Sequence, residues 1–321
     1  MRVLKKIVFT LTAMLLLLIV LPALTVWSCR RGLPPAGEKT ERITTKVWNH
    51  RTQELMALPL GEYLAGVVAA EMPAQFHQEA LRAQAIVART YALARLRSGG
   101  GPGCDRHPDA DVCTDSTHCQ AWISQEQAYS QWPFFRQRVY WNKIWRAVTE
   151  TGGQVITHQG RLIDAVFHST CGGSTENSED VWTNAVPYLR AVACPYCSHS
   201  PRLTETVRLK REDVAARLEV EPAVLRLQVL RSTPSGRIID VDVGGKVMRG
   251  LEFRTSLGLR SSKVSWLEEN GTFSFTTMGY GHAVGMCQYG ADGMARLGHS
   301  AEEIIEHYFT GVSVQRVRWE E

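Results

Sequence analysis

The chain has 321 residues, 36 basic and 32 acidic side chains, a formal charge of +4 and 8 cysteines. Five of the bases (Arg2, Lys5, Lys6, Arg30 and Arg31) fall in residues 1–31, a segment with no acid, so the remaining 31 bases face 32 acids. A near-neutral body lacks the clustered Lys and Arg of a nucleic-acid binder and argues against that class. Its length suffices for one large domain or two modest ones.

After a tail of residues 1–6, the uncharged run IVFTLTAMLLLLIVLPALTVW, residues 7–27, is long enough to cross a bilayer. Basic residues on both sides leave the positive-inside rule indecisive. The very short tail favours an anchor with its N-terminus in the cytoplasm and the body outside, where disulfides are permitted. Residues 28–42, rich in Pro, Gly and charge, read as a linker. The body then occupies residues 43–321.

ITTKVW and ELMALPL flank Asn49–Gln53 and predict a hairpin. Leu60–Met72 predicts a helix ended by Pro73, which has no N–H for the next backbone bond. Gln78–Leu96 predicts a second helix, and the glycine-rich stretch 98–103 a break. Ser124–Trp145 reads as helical. GGQVITHQGRLIDAVFHST predicts another hairpin turning at Gln159-Gly160. Arg211–Leu218 and Ala301–Phe309 predict short helices, with Gly311 suited to cap the latter. Strand signals dominate Leu225–Val247. Strands and helices mix without regular βαβ alternation, which gives an α+β class.

Two charged residues break the apolar pattern. Glu71 ends the apolar run Val67–Ala70, and Arg89 lies between the small-residue row Leu81, Ala85, Ala88, Ala92 and the Ile86/Leu93 row. If the two helices pack, Glu71 and Arg89 can share one cleft. The spacing leaves open a buried ion pair or a general acid tuned by apolar walls and a nearby cation.

Cys104, His107, Cys113, His118 and Cys119 crowd one loop, with either zinc ligation or a disulfide as the outcome. Because a strand would point adjacent His118 and Cys119 to opposite faces, joint ligation needs irregular backbone there. Cys194-Pro195-Tyr196-Cys197 suits a local disulfide first, with a redox pair or half of a second zinc site as alternatives. GYGHAVGMCQYGA lacks the Lys-Ser/Thr of a phosphate-binding loop. His168, Ser169 and Thr170, followed by Gly172-Gly173, stand at a strand end where polar groups can enter a cleft.

GEYLAGVVAAEMPAQFHQEALRAQAIVARTYAL resembles the signature of the stage II sporulation protein D family, as do CTDSTHCQAW, FHSTCGGSTENSEDVW, PYLRAV, FRTSLGL and GYGHAVGMCQYGADGMARLG. The resemblance runs from about Gly61 to Gly311. It implies helices and antiparallel sheets in two lobes around a glycan-binding cleft. It also implies a lytic transglycosylase that cleaves peptidoglycan between N-acetylmuramic acid and N-acetylglucosamine, on strands free of stem peptides, during forespore engulfment. Glu71 is then the catalytic acid/base, with Arg89 and Tyr188 at two further positions needed for activity. His168, Ser169, Thr170 and His282 are the expected substrate-binding residues. His107, Cys113, His118 and Cys119 match the family's zinc positions and leave Cys104 over, able to replace one histidine. The implied partners are a cell-wall amidase and a membrane scaffold protein. The implied location is a single-pass membrane protein facing the space between mother cell and forespore. A second reading is a non-catalytic activator or scaffold of that amidase.

Overall fold

The computed structural model describes residues 43–317. The predicted anchor, the tail before it and the linker lie outside the described residues. Among the described residues no helix is long and apolar enough to cross a membrane.

Strand β1 (Thr44–Asn49) pairs antiparallel with β2 (Glu54–Pro59) as the expected hairpin, and β3 (Val112–Cys113) adds to β1 in parallel. Helix α1 (Leu60–Glu71) buries nine residues, from Leu60 to Ala69. It stops where Met72, forced extended by the following proline, leaves helical geometry. Helix α2 (Gln78–Arg95) starts at His77, whose ring accepts the Glu79 N–H, and is buried on nearly every side. Its alanines let neighbours approach closely, so α1, α4 (Gln137–Glu150), α8 (Gln288–Arg296), α9 (Ala301–Tyr308) and β4 (Gln154–His158) all pack on it.

The helix expected over Ser124–Trp145 is two. Helix α3 (Gln125–Gln131), opened by a Ser124/Gln127 capping box, ends at Trp132, and a 3₁₀ turn leads into α4. Pro133 is the cause: it cannot donate the next bond and drives Trp132 extended. The second hairpin is shorter than expected. Strand β4 turns through Gln159 and Gly160, both at positive φ, into β5 (Arg161–Leu162), and β16 (Ser313–Arg316) covers its other edge. Strand β6 (Phe167–His168) instead pairs in parallel with β15 (Met286–Cys287).

A second apolar cluster forms around α6 (Arg211–Leu218), α7 (Gly250–Leu257) and two antiparallel sheets. One sheet orders β10 (Leu227–Ser232), β11 (Ile238–Val243) and β12 (Lys246–Arg249); the other orders β13 (Val264–Glu269), β14 (Thr272–Met278) and β9 (Thr204–Lys210). In β14 the alternation is clean: Phe273, Phe275 and Thr277 point inward, so register is fixed by burial. The α+β class is borne out. The remaining elements are β7 (Gly173–Ser174), β8 (Ala193–Cys194) and the one-turn α5 (Ser178–Val181).

Candidate functional site

Glu71 is the last residue of α1, at the helix end least suited to an anion. The segment Cys119–Ile123 runs back along α1 and holds it. The Ile123 N–H donates to Gly66 O at 3.3 Å, and the Ala121 N–H donates to Glu71 Oε1 at 2.7 Å. Tyr63 donates its hydroxyl to Gln120 Oε1 at 3.2 Å. This close approach requires Gly66, because a Cβ there would fall 2.2 Å from Trp122 Nε1. A second contact comes from α8: Gln288 bonds the Glu71 carboxyl and donates to Gln84 Oε1 at 3.3 Å. Burial raises the Glu71 pKa to about 7, against the opposing pull of the Ala121 and Gln288 hydrogen bonds. Such a carboxyl is protonated about half the time at neutral pH.

Arg89 does not act on that carboxyl. It is fully buried and donates to Val148 O at 2.8 Å and to Thr151 Oγ1 and Gln154 O at 3.3 Å. These groups close the C-terminus of α4, where unpaired carbonyls and the helix dipole favour a cation. Five residues separate Arg89 from Gln84, which turns it about 140° around α2 and away from the Glu71 side. The sequence suggested a shared cleft because both residues lie on packed helices; the helical phase decides otherwise.

Tyr188 is half-buried, and its hydroxyl accepts the Asp164 N–H at 3.0 Å. Asp164 pairs with Arg95 at 3.1 Å, Arg95 lies 3.6 Å over the Tyr91 ring, and the Tyr91 hydroxyl donates to His118 O at 3.4 Å. A polar chain thus links Tyr188 to the cysteine/histidine loop.

That loop brings together Cys104, Cys113, His118 and Cys119, whose ligand atoms all lie within 4.8 Å of one another. His118 Nδ1 stands 3.3 Å from Cys113 Sγ, 3.4 Å from Cys119 Sγ and 3.7 Å from Cys104 Sγ. Its Nε2 is held by the Asp105 carboxylate, the outer partner that metal-bound histidines usually have. His107 is outside the group, stacked on Trp48 with ring centroids 4.7 Å apart, so Cys104 takes the place the sequence reading gave it. The adjacent His118 and Cys119 converge because Asp115 organises an irregular turn, its carbonyl accepting both of their N–H groups.

The four expected substrate-binding residues sit on the β6–β15 side. His168 is buried with Nδ1 3.1 Å from Val284 O, and Thr170 is buried with its hydroxyl 2.7 Å from Ser200 Oγ. Neither side chain faces solvent. Ser169 is half-buried, and its carbonyl accepts the Tyr289 N–H at 3.1 Å. His282 packs on Trp182, with burial and Arg254 lowering its pKa to about 4. Sequence reasoning missed Ala121 and Gln288, the two groups that hold Glu71. The signal was there, since each lies within two residues of a cysteine in a motif singled out for other reasons.

Residues 48–158 match the family model described as stage II sporulation protein. Stage II sporulation protein D of Bacillus amyloliquefaciens is 32% identical over 97% of this chain and 96% of its own length. The chain belongs to the stage II sporulation protein D family. The family's protein from Bacillus subtilis is 34% identical over 86% of this chain and 80% of its own length. A protein named amidase enhancer from the same species is 26% identical over 78% of this chain and 40% of its own length. Membership in the stage II sporulation protein D family ties the chain to sporulation.

Proposed function

We propose that this protein is a lytic transglycosylase of peptidoglycan with Glu71 as its single acid/base. The observation that carries the reading is a carboxyl at the end of an apolar helix, raised to about 7 by burial and held by two neutral hydrogen-bond donors. A hydrolase uses two carboxyls flanking the scissile bond. The three acids nearest in motif, Glu176, Glu179 and Asp180, are engaged elsewhere. Glu176 pairs with Arg237, Glu179 with Arg190, and Asp180 accepts from Asn177 Nδ2. One acid suffices for transglycosylation. Protonated Glu71 gives its proton to the leaving glycosidic oxygen as the bond to C1 breaks. The sugar's own 6-hydroxyl then bonds to C1 and returns its proton to Glu71, leaving a 1,6-anhydro end and consuming no water.

The donor set Cys104, Cys113, His118 and Cys119 fits a closed structural zinc site, with three thiolates, one imidazole and an outer carboxylate. Bound there, zinc supplies order rather than chemistry. It fixes the turn from which Cys119–Ala121 reaches back to Glu71. The substrate is a glycan strand freed of stem peptides. The partners are the amidase that frees it and a membrane protein that holds the pair, with the body anchored outside the cytoplasm by residues 7–27. The relative named amidase enhancer favours a second reading, in which the chain activates an amidase without turnover.

Peptide-free glycan strands incubated with the wild type and with Glu71→Gln, products read by mass spectrometry, separate these readings. The expected result is 1,6-anhydro ends from the wild type and at least about a hundredfold less from the variant. Reducing ends mean hydrolysis. No product from either folded protein, with amidase stimulation intact in both, means the activator.

A further inference from the structure

The four remaining cysteines among the described residues come from three separate segments. Cys171 follows β6, Cys194 ends β8 with Cys197 in the turn after it, and Cys287 opens α8. All four are buried, all four are free thiols, and their sulfurs lie within 4.8 Å of one another. We propose that Cys171, Cys194, Cys197 and Cys287 bind a second zinc ion as a closed, tetrahedral tetrathiolate site that pins these three segments together.

The spacing suits a single tetrahedral ion rather than a cluster. Zinc–sulfur bonds of about 2.3 Å in a tetrahedron put sulfurs about 3.8 Å apart. Cys171 Sγ and Cys197 Sγ stand 3.5 Å apart, and the whole set fits that envelope. An iron–sulfur cluster places several atoms between its thiolates and needs a wider cage. The Cys194/Cys197 pair has the two-residue spacing that wraps one metal from a turn.

The surroundings suit bound thiolates. Cys287 Sγ accepts the N–H groups of Cys171 and Gly290, each at 3.3 Å, and the Tyr308 hydroxyl lies 3.1 Å from Cys194 Sγ. These are the hydrogen bonds by which an outer shell orients metal ligands. Gly290 has to be glycine, since a Cβ would fall 2.6 Å from Cys194 Sγ and 2.0 Å from Tyr308 Oη. Four thiolates around Zn²⁺ carry a net double negative charge, and the fully buried Arg237 stands by it. Arg237 donates to Cys171 O and pairs with Glu176 at 3.2 Å. Four buried protein ligands leave no open position, so the ion is structural. Gln288, the residue after Cys287, is the one that reaches Glu71. The site stands on these contacts whatever reaction Glu71 performs.

The test is metal counting on the full-length chain purified in detergent. Elemental analysis and native mass spectrometry are run on the wild type, Cys113→Ser and Cys197→Ser, with alkylation of the wild type under denaturing conditions to count thiols. The expected result is two zinc ions per chain in the wild type and one in Cys113→Ser, the ion of the four-cysteine site. All four cysteines should alkylate only after the metal is released. Growth in cobalt should give the absorption of a tetrahedral thiolate site in Cys113→Ser, a readout that holds even if Cys197→Ser does not fold. Disulfides among the four, no metal in folded Cys113→Ser, or iron in place of zinc would each overturn the proposal.

Discussion

The two cysteine clusters differ in how their side chains are gathered. Cys104, Cys113, His118 and Cys119 come from one loop, and Cys119 and His118 remain half-buried. Cys171, Cys194, Cys197 and Cys287 span more than a hundred residues and are wholly buried in the main core. Yet each cluster ends in a segment that touches Glu71, one through the Ala121 N–H and the other through Gln288. A carboxyl at a helix end needs neighbours that stay in place if its pKa is to hold near neutrality. Here they come from two sides, one local and one distant.

The largest expected effect sets the clusters directly against each other. A chelator should strip the zinc proposed for the loop cluster first, because His118 and Cys119 are reachable. Loss there should abolish glycan cleavage while circular dichroism keeps the helical signal of α1 and α2. Loss from the buried cluster should coincide with global unfolding, since its ligands join three segments of the core. Release of both metals in a single step, followed by a colorimetric zinc indicator, would remove the distinction.

Next is Arg89, which belongs to neither cluster. Arg89→Met leaves the carbonyls closing α4 without their cation and should cost about 3 kcal/mol in urea unfolding. The pH at which activity falls should not move, because Arg89 acts through the scaffold; a moved limb would put it at Glu71 after all.

Glu71→Gln should stabilise the protein, and by an amount that depends on pH. The folded chain keeps the Glu71 proton up to about pH 7, whereas the unfolded chain releases it near 4.5. Between those values the folded state binds more protons, so Glu71 makes stability fall as pH rises, levelling off above 7. The variant should gain roughly 3 kcal/mol at pH 8 and almost nothing at pH 4, by thermal or urea unfolding. Equal gains at both values would mean that the carboxyl is not tuned by burial.

The smallest expected effect is on the buried-cluster side. The Gln288 hydrogen bond lowers the Glu71 pKa, so Gln288→Leu should move the falling limb of the activity profile upward by under about one pH unit. A downward shift, seen in initial rates on glycan strands, would break the proposed contact.

The elements near Glu71 were legible because their causes are local. Pro73 had to end α1, Asn49–Gln53 had to turn, and the alanine rows of α2 could only be read as a packing face. The loop cluster was legible for the same reason, since its five candidates lie within sixteen consecutive residues. His107 was misplaced because sequence order does not say that Trp48, far earlier in the chain, offers a ring to stack on. The continuous helical pattern of Ser124–Trp145 hides the break at Pro133, which only its missing N–H and its effect on Trp132 reveal.

By itself the sequence determined the family, the class of fold and the oddity of a lone carboxyl closing an apolar helix, because motif and periodicity are properties of neighbouring residues. Only the tertiary structure decided which groups hold Glu71, where the helical phase sends Arg89, and that Cys171, Cys194, Cys197 and Cys287 meet at one point. Those outcomes depend on contacts between segments far apart in the chain. Such contacts are set by packing rather than by spacing, so no local pattern records them.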